Sequence, residues 1–271
     1  MFGAGGFIGG HLMSELRRAG HDPVAPDRDD EAVSGDLGHV IYAIGLTGSF
    51  RQRPYDTVEA HVAKLGRFLQ GARFDSWLYL SSTRVYGARE REAAATEESE
   101  IMVRPSADSL YDLSKLLGEA LCLAHPDDRV RVVRLSNVVG PELRPSLFLG
   151  AVFAQLAEHG TVEILESPES AKDYVSVEDV AGILPRISVD GRHRVYNVAS
   201  GVSTSHRRVA ELLNAAVGGR VTFAPGGEVR RFPAVSIDRL TGEFPEYRPR
   251  SIDETLEPLI ARVRAQLGSG R

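Results

Sequence analysis

Residues 2–12 read FGAGGFIGGHL, and five of these eleven positions are glycine. Glycine carries the largest conformational entropy cost of any residue. It is favoured where the backbone must take positive φ or let another group come very close. Gly3, Gly6 and Gly9 recur every third position and run into a helical pattern, Phe7–Ala19, with Ile8, Leu12 and Leu16 on one face. A glycine turn that opens a helix lets a pyrophosphate approach the backbone, and the helix N-terminus offers unpaired N–H groups and partial positive charge. Gly3, Gly6, Phe7, Ile8 and Gly9 are therefore the expected phosphate contacts. Such a turn also calls for a carboxylate about twenty residues on to bind a ribose. Asp27, after "DPVAP", stands there. The alternative is a glycine-rich terminus and a solvated aspartate. Only Met1 and Phe2 precede Gly3, where a full strand is expected, so the chain begins late relative to its gene start or is itself shortened. The sequence leaves both open.

The rest of the chain supports an ordinary globular protein. It has 271 residues, 42% hydrophobic and 25% charged, with net charge −5. That length suits one large domain, or one domain with a smaller lobe. Mild acidity without basic runs argues against a nucleic-acid partner. A single cysteine, Cys122, excludes an internal disulfide and a cysteine-rich metal site. Eight histidines show no ligand spacing, so no metal is expected. No apolar stretch has membrane-spanning length and no signal-peptide pattern opens the chain, so no membrane partner and a cytoplasmic location are expected.

Strand and helix patterns alternate. Strands are expected at "DPVAP", 39–45, 76–81 and 130–136, with helices at 54–72 and 110–124. Val58, Val62, Leu65 and Leu69 form the stripe of the first of these helices. Beyond Gly140 the pattern loosens into helices at 147–159, from Val177, at 205–217 and at 252–267, with strands near 162–165 and 194–200. The expected fold is α/β, a Rossmann-like doubly wound parallel sheet with helices on both faces and a small C-terminal substrate lobe. Residues 1–140 form the dinucleotide-binding part. Residues 141–271 form mainly the lobe, with parts returning to the sheet.

A second group of residues carries chemistry. "SSTRVYG" (81–87) follows a strand, and "LYDLSK" (110–115) opens a helix. Tyr111 and Lys115 lie four apart, on one helix face. A lysine cation near a phenol favours phenolate, which makes tyrosine a usable proton donor and acceptor near neutral pH. Ser82, from the strand end, would bond the same reacting oxygen. This is equipment for moving a proton on an alcohol or carbonyl while a nicotinamide handles the hydride. The alternative is a surface pair on a helix.

With both groups in this order the chain resembles the extended short-chain dehydrogenase/reductases, the NAD-dependent epimerase/dehydratase family acting on nucleotide sugars. The blocks "GAGGFIGGHL", "GHDPVAPD", "VIYAIGL", "YLSSTRVYG", "LYDLSKLLGE", "VVRLSNVVGP", "KDYVSVEDVA" and "YNVASG" carry the resemblance, over nearly the whole length. It implies that Gly3, Gly6, Gly9 and Asp27 hold the dinucleotide. It places Asp36 and Leu37 beside the adenine, with Gly45 and Leu46 behind the cofactor. Ser82, Tyr111 and Lys115 match the catalytic set, the last two also touching cofactor, and Asn137 matches a residue facing the substrate phosphates. In relatives the helices matching 54–72 and 110–124 pair across a dimer, which implies a homodimer.

Departures narrow the reading. Dehydratases of the family place an Asp-Glu pair where this chain has Thr83 and Arg84, which disfavours water loss and leaves these two as substrate contacts. Lys172 stands where an arginine normally precedes "DYV". Tyr42 replaces a customary histidine and His61 a customary asparagine. Only eight residues separate Asp27 from Asp36, where the family fits a helix and a strand. Cys122 reads as a small buried hydrophobe. Arg230 and Arg231 are either a diphosphate clamp or a solvated pair. Residues 88–109 are a loop over the sugar or merely exposed. The leading expectation is an NAD-dependent nucleotide-diphosphate-sugar epimerase. Asp27 favours NAD, and Arg28 leaves NADP open. The rivals are a reductase of a nucleotide keto-sugar and a non-catalytic dinucleotide-binding protein on the same fold.

Overall fold

A four-stranded parallel sheet lies at the centre of the computed structural model, which describes residues 1–27, 35–88, 93–142, 144, 146–217 and 220–269. Its order is β1 (His39–Tyr42), β2 (Ser76–Ser82), β3 (Val130–Leu135) and β7 (Val195–Val198). Val40 pairs with Trp77, Trp77 with Val130 and Val133 with Tyr196. Side chains alternate between the faces, so each strand feeds two cores. Ile41, Leu78, Leu80, Val133 and Leu135 meet α1 (Phe7–Arg18) and α6 (Val177–Asp190) on one face. Val40, Tyr42, Trp77, Tyr79 and Val132 meet α3 (Lys64–Gly71) and α4 (Leu110–Ala124) on the other. The fold is Rossmann-like, with helices on both faces of the sheet.

The N-terminal side of the sheet departs from expectation. The stretch before the glycine turn contributes only Phe2, which donates to the Ile41 carbonyl (3.0 Å) and accepts from the Ala43 amide (3.0 Å). The strand expected through "DPVAP" does not form, and residues 21–27 join no ladder. Pro23 and Pro26 supply no N–H for one; the His21 amide donates to the Leu16 carbonyl at 3.0 Å, and the Met1 ammonium to the Val24 carbonyl at 2.7 Å. Arg28 lies outside the described residues.

The helix expected over 54–72 is three pieces: α2 (Pro54–Val58), a π-helical turn (Glu59–Ala63) and α3. A π-turn displaces backbone groups from the helical ladder. Here two buried phenols take its carbonyls, Tyr42 donating to Ala60 (2.6 Å) and Tyr79 to His61 (3.4 Å). The consequence is that His61 points inward, fully buried.

A separate core fills the C-terminal half. Phe153 and Leu156 of α5 (Phe148–His159) and Val209 and Leu213 of α7 (His206–Val217) pack with Leu256, Leu259 and Val263 of α9 (Ile252–Ser269). β5 (Thr161–Ile164) pairs with β9 (Arg220–Phe223) beneath them. A third sheet joins β4 (Asn137–Val139), β6 (Ala171–Ser176) and β8 (Ser203–Ser205). α6, β7 and α8 (Asp238–Glu243) follow Gly140 in sequence yet pack on the first core. Among the described residues no helix is long and apolar enough to cross a membrane.

Candidate active site

The glycine turn sits at the C-terminal end of β1. Gly3 has φ +80°, and a Cβ there would come within 2.7 Å of the Ala43 carbonyl carbon. A Cβ on Gly9 would meet the Gly3 oxygen at 2.1 Å, so α1 can start this close to the turn only with glycine at that position. The Gly6 amide closes the turn by donating to Gly3 at 3.0 Å. α1 has no side-chain cap and no acidic residue in its first turn. Its first amides thus stay available to an anion.

These amides open on a cleft of about 430 Å³, within the roughly 300–1,000 Å³ typical of small-molecule sites. Gly6, Phe7, Ile8 and Gly9 line one end, and Gly45, Ser82, Tyr111 and Lys115 the middle. Arg84 lies beside Tyr111, and Asn137 and Lys172 also line the cleft. The strand ends and the start of α4 bring these together because, in a parallel sheet, strand C-termini and helix N-termini share one edge.

Tyr111 lies in the first turn of α4 and is 4% exposed. Burial raises its phenol pKa above the ordinary value, while hydrogen bonds with Ser82 and Thr47, then the Arg84 charge, pull it back. Lys115 lies one turn further along α4. Its ammonium donates to the Leu80 carbonyl at 2.7 Å and lies over the Tyr79 ring, 5.0 Å from the centroid. The cation facing Tyr111 is Arg84, 5.4 Å from the ring centroid. Burial lowers Lys115 to about 7, against the opposing pull of Glu119.

His61 closes the back of this site. The Leu46 amide donates to its Nε2 at 3.2 Å, which assigns the proton to Nδ1, facing Ser114 Oγ at 2.8 Å. Ser114 in turn donates to the Tyr111 carbonyl at 2.8 Å. Burial, then the Lys115 charge, depresses His61 to about 2, so it is neutral throughout the working range. It thereby couples the β1 end, at Gly45 and Leu46, to the helix turn that carries Tyr111. Thr47 and Phe50, also in the cleft, escaped the sequence reading. Their position just past a strand C-terminus is the signal that would have found them.

Other expected residues lie elsewhere. Gly3 and Leu46 shape the turn and the strand end, and Thr83 starts a 3₁₀ turn; none of the three lines the cleft. Asp36 and Leu37 are a correction. Asp36 bridges to Arg73, and the Leu37 amide donates to the Arg73 carbonyl at 2.9 Å, ahead of β1 and β2. That is the N-terminal edge of the parallel sheet, opposite the glycine turn, so an adenine contact there is ruled out by topology. Arg231 is exposed and bridges to Ala171 outside the cleft, and Arg230 pairs with Glu228 at 3.3 Å. In the 88–109 loop, residues 89–92 lie outside the described residues. Ala95 is buried and bridges to Val235, and Glu97 accepts from the Asn197 amide at 2.8 Å, so that part is anchored to the sheet. Cys122 is buried in the core, with its thiol pKa raised by burial.

A dinucleotide fits part of this site. The glycine turn and bare helix start suit a pyrophosphate, and Gly45, where a Cβ would come within 3.3 Å of the Lys115 ammonium, leaves room beside the reactive residues. The family's adenine pair is missing from that edge.

Comparison with known proteins agrees. A dTDP-glucose 4,6-dehydratase of Streptomyces griseus is 29% identical over 178 residues, which is 62% of this chain and 52% of that protein. The chain thus spans about half the length of that relative. A dTDP-4-dehydro-6-deoxy-D-allose reductase of a Streptomyces species is 22% identical over 80% of both chains. The solved structure of MoeE5 in complex with UDP-glucose and NAD superposes with TM-score 0.79 at 25% identity, covering 98% of each chain. A sequence profile described as the NAD dependent epimerase/dehydratase family matches residues 1–199. On the glycine turn, the Ser82–Tyr111–Lys115 set and this match, the chain belongs to the NAD-dependent epimerase/dehydratase family.

Proposed function

We propose that this protein is an NAD(P)-dependent epimerase of a nucleotide-diphosphate sugar. The observation that carries the reading is the buried Tyr111 phenol, which shares with Ser82 and Thr47 the cleft that the glycine turn opens. Tyr111 takes the proton from a sugar hydroxyl as that carbon is oxidised, then returns it. Ser82 and Thr47 hold the phenol and the reacting oxygen in line. The nicotinamide, when bound, supplies the hydride acceptor and donor. Lys115 lies one helical turn away, where it bonds the cofactor ribose, and Asp27 holds the other ribose. Asn137 and Lys172 take the diphosphate. Elimination of water is disfavoured. The one carboxylate among the described lining residues is Glu142, which His11 bonds at 2.9 Å.

A reductase of a nucleotide keto-sugar is the second reading, favoured by the relative that bears that activity. Incubation with UDP-, GDP- and dTDP-sugars separates the two. An epimerase converts one epimer to the other with no net absorbance change at 340 nm, whereas a reductase consumes NAD(P)H stoichiometrically. If no sugar nucleotide is turned over while NAD still binds in calorimetry, the reading gives way to a non-catalytic binding protein.

The same reading includes a homodimer through α2–α3 and α4. Tyr55 (87%), Leu117 (51%) and Leu123 (40%) are exposed on these helices, where an isolated monomer gains nothing from them. Light scattering at micromolar concentration measures the state directly.

A further inference from the structure

The cleft is more cationic than a diphosphate requires. Arg51, Arg84, Lys115, Arg144 and Lys172 line it, against Glu142 alone among the described residues, in a protein of net charge −5. The cations fall into separate places. Arg144 lies over Phe7 beside the glycine turn, and Lys172 over Phe148 in the lobe, each 4.6 Å from the ring centroid. Both suit phosphates. Arg51 and Arg84 are instead at the reactive end. They approach the Phe50 ring at 4.6 and 5.1 Å, and Arg84 also reaches Tyr111.

Arg84 is held in place. Asp112 meets its Nε at 2.9 Å, and its Nη2 donates to the Asp108 carbonyl at 3.2 Å. A guanidinium set beside two packed rings and paired with a carboxylate is pre-organised to meet an anion. Asp112 offsets part of its charge. The Arg51–Asp108 pair is exposed on both sides and contributes little (side chains 53% and 78% exposed).

Building on the nucleotide-sugar reading, we propose that the sugar bound beside Tyr111 carries a carboxylate, and that Arg84, with Arg51 behind it, selects for it. The substrate class is a nucleotide-diphosphate uronic acid. The competing role for Arg84 is only to bias the Tyr111 phenol, which would serve neutral and acidic sugars alike.

The test compares matched substrates, UDP-glucuronate with UDP-glucose and GDP-mannuronate with GDP-mannose, on the wild type, Arg84→Lys and Arg84→Met. The wild type is expected to favour the acid of at least one pair by about tenfold or more in kcat/KM, the scale of one charge-assisted hydrogen bond. Arg84→Met brings that ratio near one, and Arg84→Lys retains part of it. A wild-type ratio near one, or a preference for the neutral sugar, overturns the proposal while leaving the nucleotide-sugar reading intact. A ratio unchanged in Arg84→Met, with both rates reduced, also overturns it and assigns Arg84 to the phenol. Should the variants fail to fold, the wild-type ratio decides. Failure of every sugar nucleotide to bind or react removes both readings together.

Discussion

The edge of the sheet around Tyr111 and the flank between α1 and β1 received the same kind of sequence evidence and came out differently. At the first, strand ends from β1 and β2 and the start of α4 converge, and several polar groups are held. Lys115 bonds Leu80, His61 bonds Leu46 and faces Ser114, and Ser114 bonds the Tyr111 carbonyl. At the second, residues 21–27 join no ladder, and Asp36 lies at the opposite sheet edge. The chain keeps the sheet edge around Tyr111 and abbreviates the flank that follows α1. Matched blocks carry their chemistry only where the intervening chain is long enough to bring them to one edge. A strand–helix–strand unit takes about 30 residues, and the stretch from Ala19 to Gly38 cannot hold one.

The strongest way to break this contrast is Tyr111→Phe. Loss of a general acid–base group lowers turnover by about 10²–10⁴, and this variant should keep its melting temperature and cofactor affinity. Turnover equal to wild type on a confirmed substrate would remove the chemistry from this edge. Gly9→Ala strikes the turn. Its Cβ, 2.1 Å from a backbone oxygen, forces a shift, at a cost of about 1–3 kcal/mol, read as a lower midpoint in urea.

Lys115→Met probes the burial of charge. Folding lowers this lysine from 10.5 to about 7. Below pH 7 the ammonium is charged in both states and its burial cost is present in full. From about 7 to 10.5 the folded protein has released a proton that the unfolded chain keeps, so this group's contribution improves as pH rises. Lys115→Met is therefore expected to raise the melting temperature at pH 6, with the gain shrinking by pH 9. A gain independent of pH would show that Lys115 is not buried as an ammonium.

The smallest effects sharpen the other side of the comparison. Met1, two residues before the glycine turn, ties down Val24, three residues before Asp27. Asp27→Ala is expected to weaken NAD about tenfold, the scale of a hydrogen bond to a charged group. Asp36→Ala should change it less than about twofold, as for surface positions away from special features. Equal effects in calorimetry would erase the distinction between them.

Much of this was legible early. α1 and α4 fall within a residue of their expected bounds, because an apolar stripe at helical spacing has one burial solution against a sheet. β2 and β3 were legible for a related reason, being short runs rich in valine, leucine and aromatic residues and bounded by turn residues. β4, β6, β8 and β9 were missed, since short strands in a lobe carry too few residues for a period to show. The π-turn was also hidden, because what stabilises it is two phenols from distant strands, not anything local to residues 59–63.

Local chemistry in the chain settled which atoms are available: glycines where a Cβ would collide, a tyrosine and a lysine one turn apart, prolines that cannot pair. Tertiary structure alone decided which of them meet. It set Arg84 rather than Lys115 against the phenol, aimed His61 at the strand end, and sent Asp36 to the far edge. Spacing along a helix fixes neighbours within that helix, whereas the field at a buried oxygen is the sum over every element packed around it.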